Sequence, residues 1–439
     1  MPEPPKPSPQ PDSKDGAAAR LPWRLGHFRW IICALLLLGT TKNYMDRNIL
    51  GVLNATLQRD LHWSEVDYSN LIVAFQAAYA IGLVFAGRII DRLGTRLGYA
   101  LSMAVWSLAS MGTAFAGSLN IFIGLRVLLG LGESAVFPAS IKAVAEWFPK
   151  KESALAAGIF NGGTNLGAIL TPFVVAWITR VWGWRGAFVG VGALGFVWLL
   201  AWLAFYRKPE EHPRVSPEEL AYIKSDAIPQ TARANWTALF PLRQTWAIAF
   251  GKFLTDPVWW FYLFWLPGFL QKKHGLTLAQ IALPITVVYV IADLGSILGG
   301  WLSSWLIKRG RSVNRSRKIA LLACAIAVVP VAFAYRAESM WTAVLLIGLA
   351  AAAHQGFSAN MYALASDMFP SRAVGSVIGI AGSTGAVGGL LMAAIVGHLL
   401  QDTGSYAAPF LYGSVAYLLA LGGVQWLSPQ LAPAPFAES

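Results

Sequence analysis

The chain has 439 residues, 56% of them hydrophobic and 13% charged, with 19 Trp, 42 Gly, 24 Pro and a net charge of +12. A soluble protein carries about a quarter charged residues, so the composition excludes an ordinary soluble domain and describes a polytopic helical membrane protein. The basic residues sit in short loops between apolar segments. That is the positive-inside pattern, not the footprint of a nucleic-acid binder.

In chain order, residues 1–26 are rich in Pro, Ser, Ala, Lys and Arg and read as a disordered cytoplasmic tail. The first apolar run follows this polar stretch and continues as a spanning helix, so no cleavable signal peptide is expected. Twelve apolar segments are long enough to span a bilayer. They lie near 28–57, 66–90, 97–116, 119–147, 153–179, 184–206, 245–271, 278–307, 317–335, 340–368, 372–399 and 406–427. Residues 207–244, polar and punctuated by Pro209, Pro213, Pro217 and Pro229, read as a cytoplasmic linker between two six-helix halves, 27–206 and 245–428. Residues 429–439 form a short cytoplasmic tail. Cys33 and Cys324 lie inside apolar segments as small core residues, with no disulfide framework and no metal spacing. No cofactor is expected.

Charge sets the orientation. Arg88, Arg92 and Arg96 follow the second segment, Lys150 and Lys151 the fourth, Lys308, Arg309, Arg311, Arg315, Arg317 and Lys318 the eighth, and Arg372 the tenth. These loops fall on one side with the N-terminal tail, while loops such as 58–65 and 118–120 on the other side are poor in Lys and Arg. Both termini are therefore expected in the cytoplasm. The halves also look like repeats: Phe148-Pro149 and Phe369-Pro370 differ by 221 positions. Small residues recur at helix-packing spacing in both, at Gly158/Gly162 and Gly163/Gly167, then Gly375/Gly379 and Gly385/Gly389. Two parallel six-helix repeats around a central site are the plan of a large class of secondary transporters.

A few charges lie inside apolar helices. Asp46 and Arg47 sit in the first segment and Arg126 and Glu133 in the fourth; the latter two are seven residues apart and share a helix face. A charge at the bilayer centre costs about 2.5–3.5 kcal/mol on insertion scales, so such residues pair or line a watery cavity. Two bases and two acids around one cavity fit either a salt-bridge network joining the helices or a site where Arg47 and Arg126 hold an anion while Asp46 and Glu133 carry protons. Lys42, four residues before Asp46, is placed to pair with it. Tyr44, Asn43, Tyr79, Asn161, Thr164 and Asn165 offer hydroxyls, amides and aromatic faces suited to a polyhydroxylated ligand, or to helix–helix hydrogen bonds. In the second half the candidates are Asp256, Trp259-Trp260, Asp293, His354-Gln355, Asn360 and Ser383-Thr384. The repeat offset sets His354 where Glu133 falls, although a lone intramembrane His is more often packed than titrating.

The sharpest linear motif is Gly87-Arg88-Ile-Ile-Asp91-Arg92-Leu-Gly94-Thr-Arg96. It fits the gating-loop signature G-x-x-x-D-R-x-G-x-R of the major facilitator superfamily, in which Gly87 lets helices approach and Asp91 pairs with a base or caps a helix. With NYMDRN at 43–48, GLGESAVFPASIKAVAEWFP at 130–149, TDPVWWFYLFWLP at 255–267 and AHQGFSAN at 353–360, nearly all of residues 27–428 resembles the anion:cation symporter family of that superfamily. The likeness is strongest to bacterial hexuronate and galactonate carriers. It implies an all-α membrane fold of twelve helices in two pseudo-symmetric halves. It further implies proton-coupling roles for Asp46 and Glu133, an anion site at Arg47 and Arg126, and substrate-site tyrosines at Tyr44 and Tyr79. Thr164 stands where the galactonate carrier has Gln. Asp46 looks more like the galactonate group, and His354-Gln355 more like the hexuronate group.

The expectation is a monomeric, proton-coupled importer of a sugar-acid anion in a bacterial inner membrane, working by alternating access with substrate, protons and the lipid bilayer as its partners. The rivals are an organic-anion exchanger or uniporter of the same fold, and a non-transporting membrane sensor. No P-loop, nucleophile–base spacing or metal cluster points to an enzyme.

Overall fold

The apolar runs fold as helices throughout the computed structural model, which describes residues 27–225 and 238–435. The expected N-terminal tail, the middle of the linker and the last four residues lie outside the described residues, as do the side chains of Lys150, Lys151 and Arg372. The first half comprises α1 (Phe28–Val52), α2 (Asn54–Leu61), α3 (Glu65–Thr113), α4 (Leu119–Glu133), α5 (Val136–Trp147) and α6 (Lys150–Phe205). A short helix α7 (Pro217–Ile223) lies in the linker. The second half comprises α8 (Arg243–His274), α9 (Ala282–Lys308), α10 (Val313–Val328), which tightens into a 3-10 stretch Val329–Arg336, then α11 (Met340–Met368), α12 (Ser371–Thr403) and α13 (Ala407–Leu427).

Single residues set the boundaries. Ser64 and Asp67 form a reciprocal capping box at the start of α3, with the Asp67 amide donating to Ser64 Oγ at 3.1 Å and the Ser64 amide to Asp67 Oδ2 at 2.9 Å. Gly94 (φ +78°) breaks α3 into two spans and Gly183 (φ +69°) breaks α6. Both need a left-handed backbone that glycine adopts without a Cβ penalty. The basic motif expected as a loop is therefore helical on both sides of one glycine. The fourth segment, expected as continuous over 119–147, is interrupted at Ser134 and Ala135, directly after Glu133. Pro138 accounts for this: it has no N–H for the Ser134 carbonyl, and its ring crowds that carbonyl.

Among the described residues eight helical segments, one of them α4 and α5 together, are long and apolar enough to cross a membrane, and α3 and α6 each supply two crossings at their glycine breaks. The remaining two crossings are α1 and α8, whose hydropathy is lowered by the polar residues of the candidate site. The chain is a multi-pass, twelve-helix membrane protein.

The halves are built alike. A Cβ at Gly163 would meet the Leu37 carbonyl oxygen at 2.5 Å, so α6 packs backbone-close on α1. In the second half Gly389 lets α12 pack on α8, where a Cβ would meet Trp260 Cδ1 at 2.6 Å. Smaller side chains at these points permit the close approach that holds membrane helices together.

The seam between the halves is tied at the end away from the basic loops. Tyr68 donates to the Phe264 carbonyl at 2.7 Å, Ser69 to the Ala393 carbonyl at 2.7 Å, the Glu65 amide to Gln401 Oε1 at 3.0 Å, and Lys272 pairs with Glu65. Followed toward the basic-loop end, the same helix faces part. On α6, Asn165 meets Asp293 of α9, but Gly162 and Gly158, one and two turns away, have nothing within 4 Å of an added Cβ. On α12 the stripe that meets α3 at Ala393 and Gly397 continues through Gly382, Gly379 and Gly375, and these too face open space. The crevice thus opens at the basic-loop end.

At that end the linker is fastened to the first half. The buried Arg29 of α1 pairs with Glu152 at 2.9 Å and with Glu219 of α7 at 3.2 Å, and Tyr222 donates to Glu152 at 2.8 Å. His212 packs on the Phe28 ring at 4.1 Å between centroids, and this burial lowers its pKa from the ordinary histidine value.

Candidate functional site

The break after Glu133 and the depth of Asp46 in α1 bring two ion pairs side by side. Arg47 Nε donates to Glu133 Oε2 at 2.6 Å, and Lys42 pairs with Asp46 at 2.5 Å. Both acids are fully buried. Asp46 also accepts from Ser110 Oγ at 2.8 Å and Trp106 Nε1 at 3.1 Å, while Lys42 donates to Ser107 Oγ at 2.9 Å. Three residues of α3 therefore fix the Lys42–Asp46 pair. The sequence shows nothing that singles them out, because Ser and Trp are common in apolar helices. Lys42 is buried, so the set holds three cations against two acids, and the balance of two against two expected from sequence is corrected to one excess positive charge.

The excess falls on arginine. The Arg47 guanidinium lies 4.4 Å from the Tyr79 ring centroid, 5.0 Å from Tyr44, 5.5 Å from Phe75 and 5.8 Å from Trp260 of the other half. These faces attract the cation without using its N–H groups, and Arg47 Nη2 has no hydrogen-bond partner among the described residues. Arg126 is 4% exposed and makes neither an ion pair nor a hydrogen bond among the described residues. It lies 5.6 Å from the Phe188 ring centroid. A buried guanidinium with its donors free is costly unless something arrives to accept them. Glu133 Oε1 is also without a hydrogen-bond partner among the described residues.

The second half supplies a second pair of the same spacing. Lys252 and Asp256 of α8 pair at 2.7 Å, and Lys252 also donates to Ser358 Oγ at 3.1 Å and lies 4.6 Å from the Tyr362 ring centroid. Asp256 is read from the sequence, but Lys252 escapes that reading. The signal that would find it is the Lys-x-x-x-Asp spacing shared by 42/46 and 252/256. One turn beyond Asp256, Trp260 reaches Arg47, so this face of α8 points into the seam.

The other sequence candidates divide. Asn165 crosses the seam to hydrogen-bond Asp293. Asn161 is exposed at the open crevice, Thr164 is largely buried beside it on α6, and Gln355 is half-buried. Four candidates instead bond within the second half. His354 Nδ1 is 2.8 Å from the Tyr417 hydroxyl and its ring stacks on Trp259 at 5.1 Å, so it packs toward α13 and is not brought to Arg47 or Arg126. Its rung on the repeat matches Glu133 but its contacts do not. Asn360 donates to the Gly299 carbonyl at 3.0 Å, joining α11 to α9, and Thr384 to the Ala249 carbonyl at 3.0 Å, joining α12 to α8. Ser383 donates to the Gly379 carbonyl of its own helix at 3.0 Å.

In the basic motif, Lys142 of α5 pairs with Asp91 at 3.0 Å, and Arg96 donates to the Leu203 carbonyl at 2.5 Å. Arg88 and Arg92 are exposed. The expectation that Gly87 permits close helix approach is corrected, because nothing lies within 4 Å of an added Cβ there and the crevice is open at that end.

Comparison with known proteins matches the sequence pattern of the Major Facilitator Superfamily to residues 36–334. The chain is 35% identical over 383 residues to the hexuronate transporter of Escherichia coli (strain K12), covering 86% of this chain and 88% of that one. It is 38% identical over 285 residues to the galacturonate transporter of Dickeya chrysanthemi, covering 64% of this chain and 83% of that one. Among solved structures it is similar to a bacterial homologue of the human lysosomal transporter Spinster in an inward-facing and occupied conformation, with a TM-score of 0.75 at 17% identity, over 92% of this chain and 97% of the other. Twelve helices in two like-built halves, a crevice between them and this sequence match lead to one conclusion: the chain is a transporter of the Major Facilitator Superfamily.

Proposed function

We propose that this transporter imports a sugar-acid monoanion, a hexuronate above a galactonate, together with a proton across the bacterial inner membrane. The observation that carries this reading is Arg126, a buried guanidinium with no ion pair among the described residues, two turns before the Glu133 that already shares Arg47. The substrate carboxylate takes Arg126 and the spare donors of Arg47. Arg forms a planar, bidentate fork with a carboxylate, and Lys does not. Tyr44, Tyr79, Asn161, Thr164, Asn165, Trp260 and Gln355 supply hydroxyls, amides and ring faces for the polyhydroxy chain. The relatives named for hexuronate and galacturonate support the substrate class.

Coupling follows from the shared arginine. A carboxylate that engages Arg47 loosens its hold on Glu133, and the buried acid then takes a proton. Linkage is reciprocal, so the proton in turn favours the substrate. Asp46, tied to α3 by Ser110 and Trp106, is the second proton group, and its Lys42 partner keeps the pair neutral when the acid is charged. With the basic loops in the cytoplasm the crevice faces inward. The outward-facing state requires breaking the Tyr68, Ser69 and Glu65 ties across the seam.

Two measurements test this. Proteoliposomes with an inward proton gradient should accumulate radiolabelled galacturonate, and galactonate should compete while neutral galactose should not. Competition by galactose, or no uptake of any sugar acid, sinks the reading. For orientation, a cysteine replacing the exposed Ser225 should resist an impermeant maleimide in intact cells and react after lysis. Labelling in intact cells reverses the topology.

A further inference from the structure

Charge is divided unequally across the seam. At mid-depth the first half presents Lys42, Arg47 and Arg126 against Asp46 and Glu133, and the second half presents Lys252 against Asp256 and Asp293. Three cations against two acids leave one positive charge on the first wall; one cation against two acids leaves one negative charge on the second.

The second wall shows its acid, not its base. The Lys252 side chain is 4% exposed and its ammonium is occupied by Asp256, Ser358 and the Tyr362 face. The Asp256 side chain is 16% exposed, whereas those of Asp46 and Glu133 are at 0%. Asp256 sits against Gly385 on α12, where any Cβ would collide with its carboxylate, next to the open stripe at Gly382. Asp293 is half-buried and already reaches the seam, where it accepts from Asn165. Carboxylates accept the hydroxyls of a sugar and repel a second carboxylate.

Building on the sugar-acid reading above, we propose that Asp256, braced by Lys252, and Asp293 form a hydroxyl-accepting, negative wall that points the substrate carboxylate toward Arg126 and excludes dicarboxylate sugar acids. A monoacid has one charged end and fits the opposed walls in one direction. A diacid must set its second carboxylate against two acids whichever way it enters.

The test is calorimetric binding of galacturonate and galactarate to the purified full chain in detergent, at a pH where both ligands are ionised. The wild type should bind galacturonate at least tenfold more tightly than galactarate. Asp256→Asn should narrow that ratio at least tenfold, because the wall loses its charge and Lys252 becomes free to meet a second carboxylate. Both ligands lose hydroxyl contacts alike, so the ratio isolates the charge. An unchanged ratio in a folded Asp256→Asn protein overturns the proposal. Equal binding of the two acids by the wild type overturns it without any variant, and Asp293→Asn, expected to shift the ratio in the same direction, covers an Asp256 variant that does not fold. A wild type that binds neither acid sinks the sugar-acid reading itself and this wall with it.

Discussion

Arg126→Lys should weaken galacturonate binding about ten- to a hundredfold while leaving the fold intact. A charge-assisted hydrogen bond in a buried site is worth about 1.5–3 kcal/mol, and each 1.4 kcal/mol is about tenfold in affinity. The substitution keeps the positive charge, so any loss reports the planar fork and not the field. Stability should survive because Arg126 has no ion pair or hydrogen bond among the described residues to lose. Arg47→Lys is the less informative variant. Its Nε is held by Glu133 at 2.6 Å and its guanidinium lies among four aromatic rings, so packing and binding change together. Isothermal titration with galacturonate, beside the melting temperature of the empty protein, separates the two effects. An affinity within twofold of the wild type for Arg126→Lys would remove this residue from the anion site.

Glu133→Gln should abolish accumulation yet preserve exchange. A pH difference of one unit is worth about 1.4 kcal/mol per proton, so one coupled proton supports about tenfold accumulation of a monoanion. Asp46 remains, but the substrate is linked to protonation through the Arg47–Glu133 pair, so without a titrating group at 133 the steady-state ratio should fall to about one. Counterflow, which needs no net proton movement, should continue. Replacing Asp46 gives a less direct answer, since Lys42 would be left without its acid. Breaking a buried pair from one side costs about 3–5 kcal/mol. At Glu133 the aromatic faces around Arg47 soften that loss, with Tyr79 only 4.4 Å away. Proteoliposome uptake with and without an imposed pH difference decides the matter. A Glu133→Gln protein that still concentrates substrate tenfold would move the proton to another group.

The sequence by itself determined the twelve helices, the class of fold and the short roster of charges inside apolar helices. Each of these rests on local composition: a run of apolar residues lowers its transfer free energy wherever it lies, and a charge within it stands out for the same reason. The likeness to sugar-acid carriers was legible too, because motifs such as NYMDRN are contiguous. The pairing of those charges was legible only where the partners share a helix, as Lys42 and Asp46 do.

Tertiary structure decided the rest. Arg47 and Glu133 are 86 residues apart and meet only because the folded bundle brings the end of α4 to α1. That Arg126 is left without an ion pair or hydrogen bond among the described residues is a property of the whole assembly. His354 and Glu133 occupy matching rungs of the repeat, yet one faces Tyr417 inside its own half and the other faces Arg47, because a side chain's environment is set by which helices flank it. The Gly87 expectation failed since close approach depends on whether the crevice is open, which no single segment encodes. The opposed charge of the two walls belongs to neither half alone. It exists only where α8 and α9 face α1, α4 and α6 across the seam, since the field in a cavity sums over side chains that only the folded packing brings within a few ångströms of one another.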